Sequence, residues 1–193
     1  MAGRPRVFEE TTAVKKAADL FWAKGYEATS TDDLIKAMGI QRGSFYNTFN
    51  SKKELFIKAI NLHERSSLLQ LKEMLAVSEH PIETLKAVFL DMAECGDKNH
   101  LKGCFAGNTL AELSGIDEEL AENAKLHLKE MESVIFNAIV KAKTNGQLKT
   151  KTDARLLSRY FLNLWNGLNI TRRVYGNKSI LLPLIKLQLE ILK

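Results

Sequence analysis

An all-α fold is the class this sequence predicts, and three observations predict it. Proline occurs only three times in 193 residues, so little interrupts a helix. Ala, Leu, Lys, Glu and Ile recur in long stretches, and most of these favour helix. Apolar residues return at three- and four-residue intervals, and no segment shows the alternation of a half-buried strand. With 45% hydrophobic and 26% charged residues, the chain has the composition of an ordinary globular protein. Its length suits one sizeable domain, or a small module joined to a larger one.

About nine helices can be laid out in order. From Glu9 to Lys24, Ala13, Ala17, Leu20 and Phe21 keep helical spacing, and Gly25 supplies a stop. Ser30-Thr31-Asp32-Asp33 reads as a capping box opening a short helix through Leu34, Ile35 and Met38, which Gly39 ends. After the turn Gly39-Ile40-Gln41, a third helix runs from about Arg42 to Phe49. Ser51-Lys52-Lys53-Glu54 is another capping box, and the helix it starts reaches Val77, roughly 40 Å away at 1.5 Å per residue.

Five further helices have softer boundaries. Pro81 suits a first helical turn, and its helix is expected to reach Gly96. The next covers Leu101 to Leu113. Acids at Asp117, Glu118 and Glu119 favour the positive end of a helix continuing to Lys143. "NGQLK" breaks the chain, Thr152-Asp153 restarts it toward Tyr175, and "GNK" precedes a last helix from Ser179 to Leu192. Of the thirteen residues from Ile180 to Leu192, nine are Ile or Leu, which cover nearly the whole circumference. A helix apolar all round is buried on more than one side. These last two helices are therefore expected to serve both the core and a second subunit, through Leu157, Phe161, Leu164, Leu168, Leu181, Leu184, Ile185 and Leu192.

Composition also excludes functions. No apolar run reaches the roughly 18–20 residues of a membrane-spanning helix. "MAGRPRVFEE" lacks the apolar stretch of a signal peptide, so a cytoplasmic protein without a membrane partner is expected. Cys95 and Cys104 make no disulfide framework, and no Cys/His cluster has metal-ligand spacing. The histidines at 63, 80, 100 and 127 are scattered, and no nucleophile–base outline, phosphate loop or paired-carboxylate motif stands out. Neither metal, cofactor nor catalysis is expected.

Charge placement says more than the net +5. Between Lys36 and Lys58 stand five basic residues (Lys36, Arg42, Lys52, Lys53, Lys58) against one acid, Glu54, and Arg4 and Arg6 form a second basic spot. Such local charge suits a polyanion such as DNA. The helix Thr31–Met38, the glycine-containing turn and the helix Arg42–Phe49 have helix-turn-helix proportions, in which the second helix enters the major groove. Phe45 and Phe49, four apart, form an apolar back expected to anchor on Leu20, Phe21, Leu34 and Ile35. Arg42 can reach a phosphate or the guanine edge, and Ser44, Asn47 and Thr48 offer short donors and acceptors. Tyr46 offers a ring and a hydroxyl for a phosphate. Gly43 costs about 1 kcal/mol of helix stability relative to Ala but lets DNA come close.

At these residues a resemblance enters. "LFWAKGYEATSTDDLIKAMGIQRGSFYNTFNSKKELF", Leu20 to Phe56, closely resembles the DNA-binding domain of TetR-family transcriptional regulators. The matching pattern is F-x-x-K/R-G-Y-x-x-T/S, then a helix, then G-I/V-x-R/K-G-S/T-F/L-Y-x-x-F and S-K-x-x-L. The resemblance implies a helix-turn-helix domain over 1–50 and an effector-binding and dimerisation domain over 51–193. It further implies a homodimer on a palindromic double-stranded DNA operator, usually as a repressor, released by a small-molecule or electrophile effector. By motif position, Thr31 is expected at a phosphate, Arg42, Gly43, Ser44 and Asn47 at bases, and Tyr46 and Lys52 at phosphates. Thr48 departs from the histidine many relatives carry there, so their operators do not transfer. "GRPR" at Gly3–Arg6 matches an arm that lies in the minor groove, and two arginines on a proline-extended arm suit that groove.

In such proteins a small effector fills a cavity of the larger domain. The aromatic and polar residues available to line one are Phe89, Met92, Phe105, Phe136, Phe161 and Trp165, with Asn108, Thr109 and Asn169. Cys104 joins them because a similar glycine–cysteine pair occurs in a subgroup of the family, some of whose members sense electrophiles or oxidants. Lys102 and His100 are the neighbours that could lower its pKa. The competing reading, a basic architectural protein, predicts DNA binding without preference for an operator.

Overall fold

A computed structural model describes residues 9–94 and 101–192. Arg4 and Arg6, Cys95 and His100 lie outside the described residues. The described chain is helical, without strands: α1 Glu10–Lys24, α2 Thr31–Met38, α3 Arg42–Phe49, α4 Lys52–Val77, α5 Pro81–Asp91, α6 Phe105–Leu113, α7 Glu118–Thr144, α8 Ala154–Val174 and α9 Lys178–Leu189, closed by a 3-10 turn Glu190–Leu192. No helix is long and apolar enough to cross a membrane among the described residues.

Punctuation works largely as expected. Ser30 caps α2 reciprocally: Asp33 N–H donates to Ser30 Oγ at 3.1 Å, and Ser30 N–H to the Asp33 carboxylate at 3.2 Å. Those hydrogen bonds, Ser30 N–H first and Lys24 second, hold the Asp33 carboxyl below its usual range. Gly39 ends α2 in the left-handed region, at φ 71°. Ser51 caps α4 through Glu54 N–H at 3.1 Å. The expected return bond is absent, because Glu54 instead accepts from Asn50 Nδ2 at 2.8 Å. Asn50 itself stands at φ 57°, the left-handed step that turns α3 sharply into α4.

Two boundaries differ from expectation. α5 stops at Asp91 rather than Gly96, and α6 begins at Phe105 rather than Leu101. Gly103, at φ 78°, breaks the helical path before α6, and its missing Cβ is where the Arg173 guanidinium lies. Arg173 fastens that bend by donating to Leu101 O at 2.9 Å and also to Lys102 O.

Packing forms two apolar clusters. The first joins α1, α2 and α3 to the start of α4 (Leu55, Phe56, Ala59, Ile60) and continues into α6 and the start of α7 through Phe105, Leu113, Leu120 and Ala124. The second gathers the end of α4, α5, the later half of α7, α8 and α9 around Phe89, Ile139, Phe161 and Leu164. The first cluster thus crosses residue 50, and α1–α3 share their interior with α6 and α7.

The dimerisation set expected from sequence needs correcting. Leu157, Phe161, Leu164, Leu168, Leu181, Ile185 and Leu192 are buried inside the protomer, and Leu184 is half-buried. Leu157, Phe161, Leu164 and Leu168 form the inward stripe of α8, at spacings of three and four, and Leu181, Ile185 and Leu192 join the same core from α9 and the turn after it. The outward faces carry other apolar residues, all exposed: Leu156, Ile170, Val174 and Tyr175 on or just after α8, Ile180 and Leu187 on α9, and Ile191. When both faces of a helix are apolar, spacing alone cannot say which one meets its own core.

Candidate DNA-reading head and effector cavity

Helix α3 is held by two side chains. Phe45 and Phe49 are 0% exposed, with ring centroids 5.9 Å apart, in the cluster that includes Phe21 and Leu34. Leu20 and Ile35 pack on it, half-buried, as expected. The opposite side of α3 presents Arg42, Gly43, Tyr46 and Asn47 to solvent, with Ser44 and Thr48 half-buried at its margins. Thr31 stands half-buried at the first position of α2. A Cβ on Gly43 would meet nothing within 4 Å, so no internal packing requires glycine there. Arg42 reaches back to Asp32 of α2, an ion pair with 62% and 72% of the two side chains exposed. A pair so open to water exchanges readily onto another anion.

Lys52 stands differently. Its ammonium donates to Tyr26 O at 3.0 Å and Thr29 O at 3.1 Å, and lies 4.1 Å from the centroid of the Tyr26 ring. Its donors thus knit the α1–α2 loop to α4 rather than face outward. Lys53 bridges Asp117 and Glu119 at the start of α7, at 2.9 and 2.8 Å, and Lys58 meets Glu10 at 2.7 Å. The bond to Glu119, then that to Asp117, raises the Lys53 pKa. The basic stretch seen in sequence is therefore largely matched from within.

The α1–α2 loop is also held from α6. Glu112 accepts from Tyr26 N–H at 3.0 Å and Glu27 N–H at 2.8 Å. Gly25 makes room for that carboxylate, since a Cβ there would lie 2.8–2.9 Å from its oxygens. Trp22 Nε1–H donates to Gly103 O at 3.0 Å, a further tie from α1 to the segment before α6.

Among the described residues, a cavity of about 610 Å³ lies between α1, α4, α5, α6, α7 and α8. Four of the residues proposed from sequence line it: Met92, Cys104, Phe105 and Trp165. The others do not. Phe89 and Phe161 are core, their rings 5.3 Å apart. Phe136 lies under the Arg155 guanidinium at 3.8 Å. Asn108 donates to Lys102 O at 2.7 Å, and Asn169 to Trp165 O at 2.8 Å within α8. Thr109 is buried on α6 and belongs to a separate groove of about 620 Å³ between α1 and α6, where Glu112 also lies.

Sequence reasoning missed the α4 wall: His63, Glu64, Leu68, Leu71 and Met74, together with Trp22 of α1 and His127 of α7. A signal existed. Helix α4 buries residues fully only near its ends, at Leu55–Ile60 and at Leu75, and nothing between 61 and 74. Leu62 and Leu71 touch the two clusters, and between them the helix borders the cavity.

Cys104 caps α6, its sulfur accepting from Gly107 N–H at 3.3 Å. Burial first, then the Glu64 carboxylate, pushes its thiol up to about 11. Lys102 does not oppose this, because it turns to Asp19 at 3.5 Å and to the Trp22 ring. Near neutral pH the thiolate fraction is then roughly a hundredfold below that of an ordinary thiol. In a Cys95→Ser chain, iodoacetamide is expected to label Cys104 about tenfold or more slowly than free cysteine. Labelling at the free-cysteine rate would show the sulfur to be activated. Burial also pushes the His127 pKa down, and its Nε2 meets Asn61 Oδ1 at 2.7 Å. Among the described residues no group of His, Cys, Asp and Glu is placed to hold a metal ion.

Comparison with known proteins agrees with this geometry. Residues 13–59 match the family model "Bacterial regulatory proteins, tetR family", and residues 81–182 match "Tetracyclin repressor-like, C-terminal domain". The chain is 27% identical over 192 residues to the uncharacterized HTH-type transcriptional regulator YezE of Bacillus subtilis, covering 98% of this chain and 99% of that one. It is 28% identical over 173 residues to the HTH-type transcriptional repressor ComR of Escherichia coli, covering 89% and 82%. A solved structure of the TetR family regulator CifR, a cysteine mutant bound to 26-bp operator DNA, superposes with a TM-score of 0.86 at 24% identity, covering 99% and 100%. The reduced form of E. coli NemR gives 0.84 at 17% identity, covering 95% and 96%.

Proposed function

The chain belongs to the TetR family of bacterial regulatory proteins, and from that premise we propose that it represses transcription as a homodimer on a palindromic operator and lets go when a small effector fills the cavity above the head. It is a DNA-binding transcriptional regulator. The observation that carries the fuller reading is α3 itself: two fully buried phenylalanines on one side, and a solvent-facing arginine, glycine, tyrosine and asparagine on the other. ComR, a relative over most of the chain, is named a repressor, which supports the sign of regulation. The protein works by binding rather than catalysis, in the cytoplasm where its DNA is.

Residues 1–50 act as the head and 51–193 as the body. Arg42, Gly43, Ser44, Asn47 and Thr48 face the bases, with Gly43 providing clearance. Tyr46 and Thr31 face phosphates, and Arg4 and Arg6 follow the minor groove. Lys52 is assigned a different task from a phosphate contact: it sets the α1–α2 loop on which the orientation of α2 depends. The second subunit covers the outward apolar faces of α8 and α9. Energetically, an effector weakens operator binding only by its differential affinity for the free and DNA-bound shapes.

Footprinting on the DNA upstream of the chain's own gene tests this. A protected site with two-fold symmetry is expected, and uniform, salt-sensitive coverage without a preferred site would favour an architectural protein instead. Arg42→Ala or Asn47→Ala should cost about 1–3 kcal/mol at the cognate base and relax the choice of base there. Tyr46→Phe should weaken all DNA alike. If the three variants change sequence preference identically, the division of roles is wrong.

A further inference from the structure

The cavity between α4 and α8 has a chemical character beyond its being apolar. Its walls include the rings of Trp22, Phe105 and Trp165 and the thioethers of Met74, Met92 and Met131. Among them sits one carboxylate, Glu64, whose side chain is only 17% exposed. Glu64 Oε1 accepts from Ala106 N–H at 3.2 Å, in the first turn of α6, where the helix favours an anion. Its nearest titratable neighbour is the His63 imidazole, with Nδ1 at 3.5 Å. The remaining ionised groups on the wall are Asp91, exposed, and Arg172, whose guanidinium donates to Asn169 Oδ1. Burial pushes the His127 pKa down, toward its neutral form. Besides its two imidazoles, the lining therefore carries two carboxylates against one guanidinium.

A carboxylate in a cavity of low polarity attracts a cation far more strongly than in water, and aromatic faces add to that attraction. Thioethers adapt their shape to bulky groups. Resting on the effector reading above, we propose that the cavity takes a lipophilic cation, an ammonium or phosphonium bearing aromatic groups, with Glu64 as its counter-ion. The charge sits toward Glu64 and the start of α6, and the rings lie against Trp165 and the methionines.

The test uses two ions of matched size and opposite charge, tetraphenylphosphonium and tetraphenylborate, titrated into the full chain while tryptophan fluorescence is followed. The phosphonium is expected to quench and to bind about tenfold or more tightly than the borate, despite the net positive charge of the chain. Glu64→Gln keeps an oxygen for Ala106 N–H and should erase the difference. Equal binding, preference for the borate, or no binding of the phosphonium overturns the proposal, and none of these depends on how the variant folds. So does a cation preference that survives in a folded Glu64→Gln chain. Repeating the titration on operator-bound protein separates the two readings. Phosphonium that enters the cavity without releasing DNA counts against the effector role and leaves the ligand class standing. Release by the borate alone does the reverse.

Discussion

Phe45→Ala is expected to lower the stability of the protein by about 3–5 kcal/mol, the cost of emptying a filled aromatic site. For a chain of this size that corresponds to a fall in thermal midpoint of roughly 6–20 °C. The effect is large because α3 is only eight residues long and has two buried side chains, Phe45 and Phe49. So short a helix is marginal by itself and stands because its apolar face is packed. Removing half of that face loosens the surface meant for DNA along with the core beneath it. Operator affinity should therefore fall further for Phe45→Ala than for any single outward-facing change. Tyr46, the adjacent residue, is the control: it is exposed and meets Phe45 by one edge contact at 5.1 Å, so Tyr46→Ala should cost no more than about 1.5 kcal/mol. Calorimetry on both variants checks this, and similar midpoints for the two would contradict the anchoring role of Phe45.

Gly25→Ala is the second large effect. Gly25 has φ 87° and ψ 170°, a region essentially reserved for glycine, where a side chain costs about 1–3 kcal/mol. The new methyl group would also lie 2.8–2.9 Å from the Glu112 oxygens and drive that carboxylate off Tyr26 and Glu27. Hydrogen bonds to a charged acceptor add about 1.5–3 kcal/mol. Because the hydrogen bonds that Gly25→Ala displaces are the ones Glu112→Ala removes, the two changes should be clearly non-additive, the pair costing less than the sum of the two singles. Full additivity in denaturant melts would mean that the backbone strain acts alone. Operator binding should weaken in each single variant, since the loop they disturb leads directly into α2.

The head was the legible part of this molecule, and its legibility has a physical reason. Caps, glycine stops and an i, i+4 aromatic pair are local signals, and Ser30, Gly39, Phe45 and Phe49 sit where those signals place them. Long-range facts were harder. Lys52 reads as a surface cation until the chain folds Tyr26 and Thr29 back over it. Leu157 and Ile185 differ from Leu156 and Ile180 only in which side of a helix with apolar residues on both sides faces the core. The cavity was half legible. Aromatic residues of α6 and α8 drew attention, but Glu64 and Trp22 come from helices whose other residues serve the head. Such convergence depends on how helices cross, which no short window of sequence contains.

The internal matching of the basic stretch has a consequence for how binding will respond to salt. Each phosphate neutralised by a free lysine or arginine releases condensed counterions, and the slope of log K against log salt counts those contacts. Of the five cations between residues 36 and 58, Lys52 and Lys53 are committed to Tyr26 and Asp117 or their neighbours. Arg42 must first leave Asp32, and Lys58 must leave Glu10. From this stretch each head therefore contributes at most Lys36, Arg42 and Lys58, not five charges, to the ion count. Operator affinity should decline with salt more gently than the raw charge of the sequence suggests, leaving more of the selectivity to the shapes and hydrogen bonds of the bases.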